Sequence, residues 1–481
     1  MSLLTALYRT YNSAIENDMV DRTEMLNHQT VLLPVYHSSK KSTGLNDIIE
    51  VTLSEEGKFI KAEWVNQDKI VIYPVTEDSI IRSSSKIAPH PLCDELSYLA
   101  VELNPEKHIE YERVRKDWVS YMEEKKPNQL LKIIDRYLSE GSILTDCISS
   151  LFSDVNYDIT ENYSIILKVG KKKEKVINLN KTFVTFRVEV DKSNEPDLTV
   201  STDKGIHQNY ISYVRSKNMK KSQERCDISG EITYCVSRHR GLIGNAKLIS
   251  SNNKEAYYGR FDDGEEIIHI GYETSQKIHL MLKYLLENYQ NNKKIGEDCY
   301  VINWFSNDIG NEEQINLIDG IYLHEAVLDE TLDDEEEDEI LKTLGGSISA
   351  AINDYITGKY KKIPEGKFYI MIIEKSSKGR IAVKYFKELQ KSELMERVKL
   401  WYQNTSWSFY NNKTKAVIEA TPSLYKFADS LLGKENDKGY LECKNSNLKT
   451  KTIERLLLCI LENRRFPYDL KNRMLYNLYN I

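Results

Sequence analysis

Phe183-Val-Thr-Phe-Arg-Val-Glu-Val190 sets Val184, Phe186, Val188 and Val190 on one side and Thr185, Arg187 and Glu189 on the other. Successive side chains of a strand point to opposite faces, so this two-residue period predicts a strand with one face on a core. Just upstream, Tyr163-Ser-Ile-Ile-Leu-Lys-Val and the turn at Gly170-Lys-Lys-Lys173 add strand character. Further upstream, Val31-Leu-Leu-Pro-Val35, Ile48 to Leu53, Phe59 to Trp64 and Ile70 to Tyr73 are rich in β-branched and aliphatic residues, which makes residues 28–75 mostly sheet. Between these runs the pattern turns helical from Glu110 to Leu151, with Trp118, Tyr121, Leu130, Leu131, Ile133, Ile134 and Leu138 set among charges. The chain opens on Leu3, Leu4, Leu7, Tyr8 and Tyr11 at helical spacing after Ser2, a natural N-cap. Sheet and helix alternate in blocks, so the expected class is α+β and multidomain, with mixed sheets, helical segments and a helical C-terminal part.

Downstream, Ser275 to Tyr289 carries Ile278, Met281, Leu282, Leu285 and Tyr289 on one helical face. Residues 328–339, LDETLDDEEEDE, hold nine carboxylates in twelve positions and no cation, the composition of a solvated linker. Beyond it come a helix, the strand pair Lys367 to Ile373 and Arg380 to Phe386 across Ser376-Ser-Lys-Gly379, and helix again after Ser392. The expected units are an α+β domain over 1–155, a second over 156–327, an acidic linker over 328–340, and a strand pair with a helical region over 341–481.

A chain of 481 residues is long enough for roughly two to four domains with real cores. The 66 Lys and Arg against 73 Asp and Glu give a net charge of −7, which argues against bulk affinity for nucleic acid and leaves local clusters to decide binding. Seven scattered cysteines with no C-x-x-C form neither a disulfide framework nor a zinc ribbon. No basic leader with an apolar core opens the chain and no uninterrupted apolar span of membrane length occurs, so a cytoplasmic, membrane-free protein is expected. The 31 tyrosines against 11 phenylalanines favour large interfaces with a wet edge.

Catalytic patterns are thin. Ser83-x-x-Lys86 and Lys41-Ser-Thr-Gly44 match a serine-nucleophile set in the wrong order, and His324-Glu325 lacks the second histidine a zinc helix needs, since Leu328 stands there. Phosphate-cradling glycine loops are missing, and the acidic run has no regular ligand spacing. No catalytic residue, cofactor or metal site is expected.

The informative window is Lys204 to Lys247. Lys204, Arg215, Lys217, Lys220, Lys221, Arg225, Arg238, Arg240 and Lys247 face only Glu224, Asp227 and Glu231, an excess of six positive charges. Phosphates demand such local charge, and Tyr210, Tyr213, Tyr234 and His239 are suited to stacking on unpaired bases. The window fits a nucleic-acid track or a basic face that docks an acidic neighbour.

Arg82-Ser-Ser-Ser-Lys-Ile-Ala-Pro-His-Pro-Leu-Cys-Asp94 with Tyr98-Leu99 resembles the signature of a known family. Cys226-Asp-Ile-Ser-Gly230, Arg238-His239, Gly244-Asn-Ala-Lys-Leu-Ile-Ser250 with Asn252, Tyr257-Tyr-Gly259 and the helix from Ser275 resemble its central block in order and spacing. Gly296-Glu-Asp, Trp304, Phe368 to Phe386, Trp401 and Glu454-Arg-Leu-Leu457 continue the likeness. The family is the large subunit of the type I-C CRISPR surveillance complex, Cascade. Glu95 stands where the family often has Asn, and His90-Pro91 where it often has a bulky aromatic.

The resemblance implies a non-enzymatic subunit at the crRNA 5′ end that reads the protospacer-adjacent motif (PAM) on double-stranded target DNA. It also implies help in duplex opening, docking of the helicase-nuclease, and partnership with the backbone, crRNA-end and small subunits. Because such large subunits usually continue into a helical segment, the end at Ile481 adds the expectation of a separately supplied small subunit. Polar loop residues Asn66, Gln67, Lys69, Arg82, Ser83, Ser84, Ser85, Lys86 and His90 are of the types that read base edges. Arg215, Lys217, Lys220, Lys221, Arg225, Arg238, His239, Arg240, Asn245, Lys247 and Asn252 complete the expected nucleic-acid contacts. A metal-dependent nuclease using the acidic run and a pure scaffold without nucleic-acid contact are the competing classes.

Overall fold

The computed structural model describes residues 1–479 apart from 27–29, 83–85, 154–156, 161–162, 170–172, 191–195, 252–254, 256, 265, 311–315, 323–365, 412–415, 438 and 440. The chain forms two compact units, one of Leu7–Leu242 with Ile249–Tyr284, the other of Met1–Ala6, Ile243–Leu248 and Leu285–Ile481. The acidic run expected as a linker lies outside the described residues.

The larger unit begins within α1 (Leu3–Glu16), whose first turn is capped by the Ser2 hydroxyl accepting from the Thr5 amide. Its strands begin with β1 (His37–Lys41), β2 (Ile48–Leu53), β3 (Phe59–Trp64) and β4 (Ile70–Pro74). The short α2 (Leu96–Leu99) precedes α3 (Pro105–Lys125), α4 (Gln129–Glu140) and α5 (Ile143–Leu151). Asn104 and Asn128 cap α3 and α4 through their side-chain oxygens, and Gly141, in the left-handed region at φ 76°, closes α4. The antiparallel meander of β5 (Tyr157–Ile159), β6 (Ser164–Val169) and β7 (Lys173–Asn178) leads to β8 (Phe183–Val188) and β9 (Leu198–Thr199). Then come α6 (Lys204–Asn218), the ribbon of β10 (Glu224–Arg225) and β11 (Ile232–Thr233), and α7 (Tyr272–Glu287), which runs into the second unit.

The alternating stretch is indeed a strand, in a sheet of order β3-β2-β8-β9 where β8 runs parallel to β2, from Ile48 opposite Phe183 to Leu53 opposite Val188. Val184, Phe186 and Val188 are buried as expected. Thr185 is buried as well, beneath Cys93, and Arg187 is held by Glu50 at 2.6 Å and Asp197 at 3.3 Å. The polar face is therefore covered only in part: Thr185 is buried, whereas Arg187 is half-buried and Glu189 exposed. Because β2 pairs with β8, residues on both sides of position 155 share this sheet.

Val31 to Val35 is not a strand. It is buried and makes one bridge, Val20 to Leu32, because Pro34 supplies no amide donor to a ladder.

The second unit has the antiparallel sheet β12-β13-β15-β16 from Asn292–Lys294, Cys299–Phe305, Lys367–Ser377 and Arg380–Gln390. A smaller sheet joins β14 (Ile321–Tyr322), β18 (Ala416–Thr421) and β17 (Trp407–Asn411). The expected hairpin is present and longer than its apolar runs, with register from Lys367 opposite Gln390 to Ser377 opposite Arg380. Helices α8 (Lys391–Thr405), α9 (Leu424–Leu432), α10 (Ser446–Leu461) and α11 (Tyr468–Tyr479) form the helical C-terminal end. Phe305, Phe368, Ile370, Val398, Leu456 and Leu457 fill a core between sheet and helices. The α+β class with mixed small sheets holds.

All seven cysteines are unbridged, and among the described residues no helix is long and apolar enough to cross a membrane. Phe186 is fully buried at the β2–β8 junction, so Phe186→Ala is expected to cost about 3–5 kcal/mol in chemical denaturation. A loss below about 1 kcal/mol would contradict this packing.

Candidate nucleic-acid interface

The loop before α2 is built around one carboxylate. Asp94 is fully buried and accepts from Arg82 Nη1 and Nη2, both at 2.7 Å, and from the backbone amides of His90 and Glu95, both at 2.7 Å. A planar guanidinium matches a carboxylate in this two-pronged way, and the two amides fill its remaining lone pairs. Arg82 also donates to the Ala88 carbonyl and lies 4.7 Å from the centre of the Tyr98 ring. His90 is buried, with Nδ1 2.8 Å from the Ser79 hydroxyl and its ring against Tyr73. Burial pushes the His90 imidazole down to about 4, so it is neutral at physiological pH. The expectation that Arg82 and His90 present free edges to bases is therefore corrected: both are committed to shaping the loop. Lys86 is exposed and paired with Asp78, while Ser83, Ser84 and Ser85 lie outside the described residues.

The basic window divides in space. Lys204 meets Glu24 at 3.6 Å, Arg215 grips Glu273 through two bonds of 2.8 Å, Lys217 meets Asp117, and Lys221 meets Glu77 at 3.2 Å. None of these four carboxylates belongs to the window. Lys221 also sits 3.8 Å above the Tyr234 ring, whose hydroxyl donates to Glu77. Burial works against charge on Glu273 and Asp117, but Arg215 and Lys217 respectively outweigh it and hold both below the usual carboxylate range.

Arg240 is buried, donating to the His37 carbonyl at 3.1 Å and to Gln276 Oε1 at 2.6 Å. His239 is buried too, 2.8 Å from the Ser275 hydroxyl and stacked on His279. These two are corrected from surface contacts to core positions, because each is buried and makes hydrogen bonds inside the fold. Lys220, Arg225 and Arg238 stay exposed and form no ion pair among the described residues. Asn245 and Lys247 belong to the second unit. Asn245 is exposed beside Gly244 at φ 60°, and the Lys247 backbone bonds Gly379 and Ile381 at 3.0 Å each. Asn252 lies outside the described residues.

A cleft of about 270 Å³ in the larger unit brings two of the sequence regions together. Ile87, Ala88 and Pro89 of the loop face Lys217 and Lys221 of the α6 end across it, with Glu77 and Asp78 on its rim. Arg113 of α3 and Tyr272 of α7 also line it, and sequence reasoning missed both. Arg113 stood in a long charged helix with nothing to mark it, and it pairs with Glu110 at 2.7 Å. The cleft is smaller than the roughly 300–1,000 Å³ of small-molecule pockets, and Glu77, Asp78, Arg113, Lys217 and Lys221 give it a charged lining. It suits one edge of a macromolecular interface. Asn66, Gln67 and Lys69 are exposed on the β3–β4 turn, where Asp68 at φ 67° pairs with Lys41.

Among the described residues, no group of three or more His, Cys, Asp or Glu is arranged to hold a metal ion. The structure thus defines a two-unit α+β protein with polar, charged surface loops around a small cleft. Residues 7–480 match the model of the CRISPR-associated protein family Cas_Csd1, and the chain belongs to that family, the large subunits of type I-C Cascade. No curated protein matches it.

Two outcomes follow from the placements. With His90 held near 4 in the fold and at 6.5 when free, the unfolded chain binds a proton between those values that the native chain refuses. His90's full contribution is present above pH 6.5 and erodes toward pH 4, by about 3 kcal/mol. The acid loss of stability should be smaller in His90→Gln by that order, and equal losses would contradict a buried neutral ring. Arg240→Glu sets a carboxylate against two acceptor oxygens and should destabilise by roughly 4 kcal/mol or more, whereas Arg238→Glu should melt within about 0.5 kcal/mol of wild type.

Proposed function

We propose that this chain is the non-catalytic large subunit that recognises the PAM on target duplex within the RNA-guided complex, through the loops and cations around the cleft of the larger unit. The observation that carries the reading is that cleft, where residues 87–89 meet Lys217 and Lys221. An RNA-guided machine leaves sequence reading to base pairing, so its protein needs to recognise only a short duplex motif and hold opened strands. Exposed ion pairs such as Lys217–Asp117 are worth about 0–1 kcal/mol, so phosphates can replace the carboxylates at little cost.

In this reading Asn66, Gln67, Lys69 and Lys86 supply contacts to base edges, while Lys217, Lys220, Lys221, Arg225 and Arg238 hold phosphates. Arg82, Asp94 and His90 set the loop that presents them. The same subunit helps open the duplex, contacts crRNA and the backbone, crRNA-end and small subunits, and docks the helicase-nuclease. The internal pairing of four window cations favours one rival, a scaffold that touches no nucleic acid.

Binding of the assembled complex to duplexes with and without PAM separates the two. Lys217→Ala with Lys221→Ala should weaken both duplexes together and lower the salt slope by about one unit per lost phosphate contact. Asn66→Ala with Gln67→Ala should instead narrow the preference for PAM, by about 1–3 kcal/mol for each base contact removed. An unchanged slope and an unchanged preference in folded variants would leave the scaffold reading standing.

A further inference from the structure

The second unit holds a groove of about 630 Å³ between the α8–β17 junction, α9 and the turn that joins α10 to α11. Trp401 and Phe427 pack at 5.7 Å between ring centres and Phe427 and Phe466 at 6.5 Å, giving an aromatic floor. At its edge Trp407 is half exposed, although an indole of that size is ordinarily buried in a folded chain. Arg397, Arg464, Arg465 and Lys471 line the same groove, and no carboxylate does. Arg464, Arg465 and Lys471 are exposed and form no ion pair among the described residues. Arg397 pairs with Glu393, yet its Nη1 is buried with no hydrogen-bond partner. In a protein of net charge −7, three cations with no ion pair among the described residues, set beside aromatic rings and a fourth cation that Glu393 engages on one side only, leave a site that an anionic chain would complete.

We propose that this groove is a second nucleic-acid site, which takes single-stranded nucleic acid, with bases stacked on Trp407 and the aromatic floor and phosphates held by Arg464, Arg465 and Lys471. Stacking on an aromatic face with guanidinium groups beside it is how proteins bind single strands without reading their sequence. A duplex hides its base faces and could not use the rings. The inference rests on the reading of the chain as a nucleic-acid subunit, but its residues belong to the second unit and those of the PAM reading to the first.

The test uses the full-length chain and a fluorescein-labelled polythymidine oligonucleotide, with a version containing 5-iododeoxyuridine for photocrosslinking. Trp407→Ala, and separately Arg464→Glu with Arg465→Glu, should weaken binding about fivefold to a hundredfold, and the charge reversal should also lower the salt slope. Trp407→Phe should keep most of the affinity, which separates stacking from misfolding. Crosslinks should fall on the peptides containing Trp407 or Phe466. In the assembled complex the same variants should leave the ratio of PAM to non-PAM duplex binding unchanged, so a failure of the PAM reading shows separately. Oligonucleotide affinity unaltered by the variants, or crosslinks confined to the first unit, would overturn the proposal. Binding of a polyglutamate peptide that these variants abolish while oligonucleotide binding persists would also overturn it, by giving the groove to an acidic protein partner.

Discussion

The Asp94 carboxylate ties the fold to its exposed loops. Its oxygens take four donors from Arg82, His90 and Glu95, and its own backbone carbonyl accepts from the Val184 amide at 2.8 Å. One residue thus joins the interior strand β8 to the loop that edges the cleft. A buried charge with every lone pair filled is rigid, and removing either partner of such a pair costs about 3–5 kcal/mol because the other is left without compensation. The loop's outer surface, at Lys86 and Ile87, is aimed by this inner anchor. A binding surface built on loops requires such a support if it is to be precise.

Charge has to be counted in space and not along the chain. The excess of six positive charges between Lys204 and Lys247 is real in the sequence, but Glu24, Glu77, Asp117 and Glu273 come from elsewhere to meet four of its cations. Arg240 leaves the surface altogether. The second unit shows the opposite case. Arg397, Trp407, Arg464, Arg465 and Lys471 are scattered over more than seventy positions, make no dense run, and come together only when α8, β17 and the α10–α11 turn pack.

Legibility followed the range of the interaction. Local periodicity sufficed for β8, for the β15–β16 hairpin and for α7, since alternation and helical spacing are properties of a few adjacent residues. It failed at Val31 to Val35, where a proline removed a donor that composition alone does not count. The parallel pairing of β2 with β8 had no local signal, because the two strands are separated by the helical block α3–α5. At the candidate site, residue type marked Arg82, His90, His239 and Arg240 as nucleic-acid contacts, whereas packing commits them to hydrogen bonds inside the fold. Arginine and histidine serve buried hydrogen-bond networks as readily as ligands, and only tertiary packing decides which. Family membership was legible through ordered short motifs spread over most of the chain, and residues 7–480 match the Csd1 family model.

Amide hydrogen exchange of the assembled complex, with and without a PAM-containing duplex, measures the central claim without any substitution. The account predicts added protection in residues 76–82, 86–89 and 213–221 together on the PAM duplex, and less on a duplex lacking the PAM. Protection by both duplexes that leaves these segments unchanged and appears only elsewhere in the chain would contradict a PAM-reading cleft in the larger unit.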